Sequence, residues 1–407
     1  MEPKAGSIVG ATLLIGGSCV GAGMLGLPIV TGLCGFYPSL IIMILAWAFM
    51  TSTALLMLEV QSWFSKDVNL ITMVGHSLGK WGQKLSWLLY LFLFYSLLVA
   101  YQAGIGMDVS SMTAQIIGYS IPTWAGTSFF ILLFGCILYT GTHKVDFFNR
   151  FLMTGKILTY LGIITVGMTH ITPYLLTRTN IHTIFFSLPI LVVSFGFHNM
   201  IPTIRSYLKG DLKRTRIAIL SGSLFALFVY IVWDLIVLGI VPLEGEYGLI
   251  ASLQSGKDAS VSIAGILGSS WVTFFAGGLA FFSLLTSLLL QSLALVHFLA
   301  DGFQTKNKES VPLILLVFIP PFLLSILKPE IFFKALNFAG GICAVILFGL
   351  IPVFMVWRGR YQMKLASIHQ MVGGKLTLIC ILIFALSIFI FQLMTMTGFI
   401  SISTQTT

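Results

Sequence analysis

Two stretches of this chain place glycine, proline and hydroxyl residues inside otherwise apolar sequence, and these are the positions able to bind something. The first reads Gly16-Gly17-Ser18-Cys19-Val20-Gly21-Ala22-Gly23-Met24-Leu25-Gly26-Leu27-Pro28; the second reads Val193-Ser194-Phe195-Gly196-Phe197-His198-Asn199-Met200-Ile201-Pro202. Glycine loosens a helix and proline removes one of its hydrogen bonds, so both free backbone groups. Freed N–H groups at a helix start, with the positive end of its dipole, suit a carboxylate. Freed carbonyls suit an ammonium. An amino acid carries both groups on one carbon, and would set its carboxylate on the N–H groups around Gly21–Gly26, including Ala22, Gly23 and Met24. Its ammonium would use carbonyls there and near Ser194, Phe195, Gly196 and Phe197. A packing role stands beside this one: Gly17-x-x-x-Gly21 is a small-xxx-small pattern that lets a neighbouring helix approach.

The elements that position these residues follow from composition. Of 407 residues, 57% are hydrophobic and 9% charged, with a mean hydropathy of +1.00; soluble domains carry about 25% charged residues. The chain is therefore an all-α polytopic membrane protein, with the lipid bilayer as its solvent. A transmembrane β-barrel would alternate apolar and polar residues, whereas Leu313–Leu327 and Leu378–Leu393 are apolar on every face. No polar stretch is long enough for a soluble catalytic domain. The net charge of +9 suits basic loops against anionic lipid better than nucleic acid. Cys19, Cys34, Cys136, Cys343 and Cys380 lie scattered in apolar sequence without a CxxC, which predicts buried thiols and neither disulfide nor metal site. The apolar run after Met1–Gly17 continues to Pro28 without a cleavage-site pattern, so it reads as a retained first helix.

Hydropathy and loop breakers predict eleven spans, at about 8–30, 37–62, 84–107, 123–141, 149–170, 183–204, 216–241, 271–299, 311–327, 331–356 and 375–399. The polar stretch Pro242–Ser270 is expected outside the membrane, with short helices. Trp63–Trp87 is expected to hold a short amphipathic helix, and Glu59 to pair with a loop base. With a cytoplasmic N-terminus, 18 of the 22 basic residues fall inside, at Lys4, Lys66, Lys80, Lys84, Lys144, Arg150, Lys156, Arg205, Lys209, Lys213, Arg214, Arg216, Lys306, Lys308, Arg358, Arg360, Lys364 and Lys375. The other 4 (Arg178, Lys257, Lys328, Lys334) fall outside. The positive-inside rule thus sets the N-terminus in the cytoplasm and the C-terminus in the periplasm. Broken spans one and six match an inverted repeat, with spans 1–5 in residues 1–172, spans 6–10 in 173–358, and an eleventh span with its tail in 359–407.

Gly21-Ala22-Gly23-Met24-Leu25-x-x-Pro28 and Ser194-Phe195-Gly196-Phe197-His198 resemble signatures of the hydroxy and aromatic amino acid permeases, most of all those of its tyrosine-specific members. The resemblance continues through Tyr207-x-x-Gly210-Asp211, Tyr230-x-x-Trp233 and Phe298-Leu299-Ala300-Asp301. It implies a LeuT-like fold of 5+5 inverted repeats plus one helix, and proton-coupled symport of an aromatic amino acid into the cell across the bacterial inner membrane. Tyrosine is the expected substrate, with tryptophan or phenylalanine as further candidates. Two positions depart from the family pattern, Asp234 where glutamine is common and His297 where an acid is frequent, so no role is carried over to either.

Within that resemblance Lys156 stands where sodium-driven relatives hold an ion. It lies ~9 Å beyond Arg150 at 1.5 Å per residue, so it either snorkels to the interface or loses and regains one proton per cycle. Thr286 and Ser287 look like the hydroxyl pair of the ion site, and sodium there is the alternative to a proton. Tyr101 resembles the tyrosine that closes over the substrate carboxylate. His198 either bonds a neighbouring helix or meets the substrate hydroxyl or the coupled proton. Asp234, a mid-span carboxyl, is either a coupling group or a structural acid. Phe195, Phe197 and Phe282 are expected to form the ring pocket.

Rival functions lack their signatures. There is no HExxH or GK[ST] phosphate loop for an intramembrane enzyme or a nucleotide-driven pump, the GxSxG match Gly75-His76-Ser77-Leu78-Gly79 stands in the amphipathic stretch between the second and third spans and not in a strand-to-helix turn, and there is no ring of like groups for a channel. A serine or threonine carrier of the same family remains the near alternative. No cofactor, metal or obligate protein partner is expected.

Overall fold

The computed structural model describes residues 6–64, 68–305, 310–365 and 370–400, and every regular element among them is helical. Lys4, Lys66, Lys306 and Lys308 lie outside the described residues. Among the described residues, eight helices are long and apolar enough to cross a membrane. A ninth crossing is made by α1 (Ile8–Cys19) and α2 (Ala22–Thr31), which meet at a 58° bend. Two shorter apolar helices, α5 (Thr123–Tyr139) and α14 (Val311–Leu327), coincide with the expected fourth and ninth spans.

The remaining crossings follow in order. Helix α3 spans Phe36–Ser62, α4 Leu70–Ile117 and α6 Thr142–Gly167. A single turn, α7 (Pro173–Leu176), leads to α8 (Leu188–Ser194) and α9 (Ile201–Tyr207), the two halves of the sixth expected span. Helix α10 (Leu212–Ile240) is followed by the short α11 (Leu249–Ser255) and α12 (Ala259–Leu267), as the polarity of that stretch predicts. Then come α13 (Ser270–Gly302), α15 (Phe332–Phe338), a π-helical stretch Ala339–Leu350, α16 (Ile351–Tyr361) and α17 (Gly374–Met396).

The amphipathic segment expected between the second and third spans is the part of α4 before Gly79, where φ is 83° and the backbone leaves the helix, so a short first helix is set off by a kink from the span that follows. Only a residue without a Cβ takes that backbone cheaply, so one glycine divides the amphipathic stretch from the span. Trp81, with Lys84 5.6 Å from its ring, lies 85% exposed just past this bend.

We call the end of the bundle carrying Arg205–Arg216 the basic end. There Gly6 N–H bonds the Tyr207 carbonyl (2.9 Å), and Arg214 Nη2 bonds the Gly6 carbonyl (2.7 Å). These contacts bind the entry of α1 to the α9–α10 connection. Further in, α1 lies along α10 through Gly16, whose Cβ would come within 2.5 Å of Phe225, and Gly222, whose Cβ would come within 2.7 Å of Ile15. Gly17 meets only the flexible end of Met153 at 3.3 Å. Gly16 thus lets α1 approach α10, and of the Gly17-x-x-x-Gly21 pattern only Gly21 makes a close approach to another helix.

Glu59, at the basic end of α3, finds its base on α16. Arg360 donates to it from Nε (2.6 Å) and Nη2 (2.5 Å), and the Met371 N–H adds a third bond (2.9 Å). The carboxylate side chain is wholly buried and the guanidinium 7% exposed. Removing one partner of such a pair strands a desolvated charge, whereas replacing both with apolar groups is near neutral. Glu59→Ala is expected to destabilise the folded chain by ~3–5 kcal/mol, seen as a lower unfolding midpoint in detergent. Adding Arg360→Met should recover most of that loss, and equal midpoints for wild type and Glu59→Ala would contradict the assignment.

Candidate functional site

The two breaks lie side by side, and a residue from a third helix joins them. Helix α1 ends at Cys19 and α2 begins at Ala22, so Val20 and Gly21 are out of helix. Helix α8 ends at Ser194, and a 3₁₀ turn at His198–Met200 leads into α9. Tyr230, fully buried on α10, places its hydroxyl 2.7 Å from the Cys19 carbonyl and 2.8 Å from the Ser194 carbonyl. One turn on, Trp233 Nε1 donates to the Met24 carbonyl at 3.1 Å. Residues three apart share one helix face, so the Tyr230-x-x-Trp233 motif serves both as a set of donors.

Two further helices serve the first break. Lys156 on α6 donates from Nζ to the Val20 carbonyl at 2.5 Å. Ser287 on α13 accepts from the Ala22 N–H at 2.9 Å. Close approach explains the glycines here: a Cβ on Gly21 would sit 2.7 Å from Ser287 Oγ, and one on Gly23 would sit 2.8 Å from Ser194 Oγ. Ser194 Oγ is itself buried without a hydrogen-bond partner among the described residues.

A cavity of about 360 Å³ opens from the breaks towards the basic end. Gly21, Ala22, Gly23, Ser194, Gly196, Tyr101, Lys156, Thr286 and Ser287 line it, so the structure gathers nine of the residues singled out from sequence. The wall continues to Leu13, Asn149 and Met200 towards the basic end. On the far side of the break, Leu25, Leu27 and Ile29 are fully buried. The volume is that of a small-ligand site.

Six of the expected residues lie off this wall. Met24 is buried and contributes its carbonyl to Trp233. Phe195 packs edge-on against Tyr230, with ring centres 5.0 Å apart. Phe197 stacks on His198, which in turn stacks on Phe348 at 4.8 Å. His198 Nε2 is 2.9 Å from the Thr53 hydroxyl, so the imidazole bonds a neighbouring helix. Phe282 covers Gly155 and lines a different cavity. Asp234 is fully buried and accepts the Thr31 hydroxyl at 2.8 Å, which ties α10 to the end of α2. Each of these residues neighbours a break or a cavity wall along the chain but faces away from the central cavity. Sequence adjacency does not report that.

The aromatic wall comes from elsewhere: Tyr90 and Phe94 on α4, and Phe348 in the π-helical stretch. Gln291 on α13 also lines the cavity, as Tyr101 does. With 34 phenylalanines in the chain, no pattern singles out Phe94 and Phe348. Gln291 was findable: it is a polar residue in the middle of an apolar span, on the same helix face as Ser287. Among the described residues, no group of three or more His, Cys, Asp or Glu could hold a metal ion.

Residues 4–392 match the profile of the tryptophan/tyrosine permease family. Tyrosine-specific transport system 1 of Haemophilus influenzae is 29% identical over 381 residues, covering 92% of this chain and 94% of its own. The tryptophan-specific transport protein of the same organism is 27% identical over 412 residues, covering 95% of each. The low affinity tryptophan permease of Escherichia coli (strain K12) is 26% identical over 393 residues, covering 92% of each.

The joining role of Tyr230 has a direct test. Tyr230→Phe keeps the ring and removes the proton shared by two buried carbonyls, at a cost of about 1–3 kcal/mol for a buried group left unpaired. Its unfolding midpoint in detergent should fall below that of wild type, while Tyr160→Phe, which frees only the Val229 carbonyl, should cost less. Equal midpoints for Tyr230→Phe and wild type would remove the hydroxyl from the account.

Proposed function

Because the chain belongs to the tryptophan/tyrosine permease family, a family of aromatic amino acid transporters and not enzymes, we propose that it carries tyrosine into the cell with a proton. The observation that carries this reading is the pair of facing breaks, with Lys156 seated on the Val20 carbonyl between α1 and α6. The substrate carboxylate lies on the N–H groups that start α2, where the helix dipole is positive. The ammonium takes carbonyl oxygens of the same two breaks. The ring points among Tyr90, Phe94 and Phe348, and Tyr101 with Gln291 closes the headgroup side. An aromatic wall favours a large planar side chain over that of serine or threonine.

The chain arrangement is a LeuT-like one of eleven spans, with inverted repeats in residues 1–172 and 173–358 and a last helix after 359. The basic end faces the cytoplasm and the C-terminus the periplasm of a bacterial inner membrane, following the positive-inside rule. In that orientation the central cavity is open inward, and α2 with α8 closes the outer side. Alternating access is rocking of the helices about the breaks.

Lys156 is the coupling group. When charged, it occupies the Val20 carbonyl and holds α6 against the break; when neutral, it releases it. The hydroxyls of the alternative sodium site are engaged: Thr286 donates to the Phe282 and Ser283 carbonyls (2.9 and 3.0 Å), and Ser287 accepts from Ala22. A cation and a charged lysine do not share one pocket, so these bonds favour the proton. One proton travelling with a zwitterion moves one net charge. At 100 mV that supplies ~2.3 kcal/mol, roughly a 50-fold gradient at 1.36 kcal/mol per decade.

The test is uptake of labelled tyrosine into proteoliposomes under an imposed inward proton gradient without sodium, with tryptophan, serine and leucine as competitors. Concentrative uptake blocked by tryptophan but not by serine is the expected result. Lys156→Gln should reduce that concentrative uptake at least tenfold while leaving tyrosine exchange down its own gradient. Uptake only after sodium is added would transfer the coupling ion to Thr286 and Ser287.

A further inference from the structure

A second cavity, of about 400 Å³, lies at the end of α4 away from the basic end. It shares no wall residue with the central one. Asp108 of α4 lines it, 6% exposed, and its Oδ2 is buried with no hydrogen-bond partner among the described residues. Asp258, also 6% exposed, lines the same cavity and caps α12 by accepting the Ser260 N–H (2.8 Å) and hydroxyl (2.5 Å) on one oxygen. Ser110, Ser111 and Thr123 add oxygen-bearing side chains to the same wall.

The charge balance of this cavity is incomplete. The α12 cap accounts for Asp258, but nothing in contact accounts for Asp108. The titratable groups on the wall besides the two acids are Tyr247 and Lys257 from the connecting loop, and Lys257 is exposed. The backbone of Glu330 borders Gly256, and its side chain is exposed. Neither the approach to α5 nor Phe332 of α15 brings a charge. Two carboxylates drawn out of water into one cavity repel each other, and an uncompensated buried charge is strongly destabilising. A small positive ligand removes both penalties, and hydroxyl and carboxylate oxygens are the donors that hard cations take.

We propose that Asp108 and Asp258 form a cation site at this face, taking up one small hard cation, a proton or an alkali metal ion, from the adjoining aqueous phase. The site is separate from the substrate cavity and does not rest on Lys156 or on transport. It joins α4, which lines the central cavity, to the loop helix α12, so occupancy draws the loop onto the bundle.

Thermal unfolding of the purified full chain in detergent separates the two cations. One arm lowers pH from 8 to 5.5 in choline chloride. The other adds sodium or potassium chloride at pH 8 with choline as the ionic-strength control. A proton bound more tightly by the folded than by the unfolded chain stabilises as pH falls, so the proton arm should raise the wild-type midpoint by roughly 2 °C per pH unit. The alkali arm should raise it in proportion to the logarithm of cation concentration once the site fills. A response in either arm that Asp108→Asn removes supports the site and identifies its cation. No response in wild type, or an equal response in Asp108→Asn, overturns it. Should Asp108→Asn not fold, Asp258→Asn retains a residue that caps helices well and carries the same comparison.

Discussion

A backbone carbonyl or N–H freed inside a bilayer costs several kcal/mol unless something bonds to it, and this chain is arranged around meeting that cost at two places at once. The Tyr230 hydroxyl is the centre of the arrangement, because it lies between the Cys19 and Ser194 carbonyls. Trp233, Lys156 and Ser287 then serve Met24, Val20 and Ala22. Four groups from α6, α10 and α13 thus hold the ends of helices that would otherwise be intolerable in lipid. In the proposed function, a ligand with its own opposite charges completes the set from the cavity side.

This explains a division of labour among the apolar helices. Helix α10 bears the breaks: it packs on α1 through Gly222, reaches both breaks through Tyr230, and bonds the far end of α2 through Asp234 and Thr31. The wall opposite is supplied by α4 and α13, with aromatic and amide side chains. The Glu59–Arg360 pair fastens α3 to α16 at the basic end, away from the cavity. The broken ends are therefore tied by single hydrogen bonds, whereas α3 and α16 are tied by a buried ion pair.

Much of this was legible in the residue order, and the exceptions have a common cause. Glycine and proline in the middle of apolar runs announce both breaks, because few other roles tolerate them there, and the polarity of Pro242–Ser270 announces the loop helices. The hydroxyls and lysine that serve the first break stand out as polar atoms within spans. What local pattern does not carry is which way a side chain faces. Phe195, Phe197, His198 and Phe282 flank the breaks or the cavity helices and point into neighbouring helices, while Phe94 and Phe348 reach the cavity from distant parts of the chain. Tyr230 and Trp233 were visible as a motif, but their role needed the distance from α10 to the breaks. Gly79 likewise shows that one positive-φ residue sets an amphipathic stretch apart from the span that follows it.

The central claim is that both charges of an amino acid rest on the two broken helices. Competition for labelled L-tyrosine binding to the purified chain, by tyramine and by 3-(4-hydroxyphenyl)propionate, tests it most directly. Each analogue keeps the ring and one of the two charges. The account predicts that neither displaces tyrosine at concentrations where unlabelled L-tyrosine does so fully. Displacement by tyramine as effective as by tyrosine would contradict it, since the N–H groups at the start of α2 would then be holding nothing.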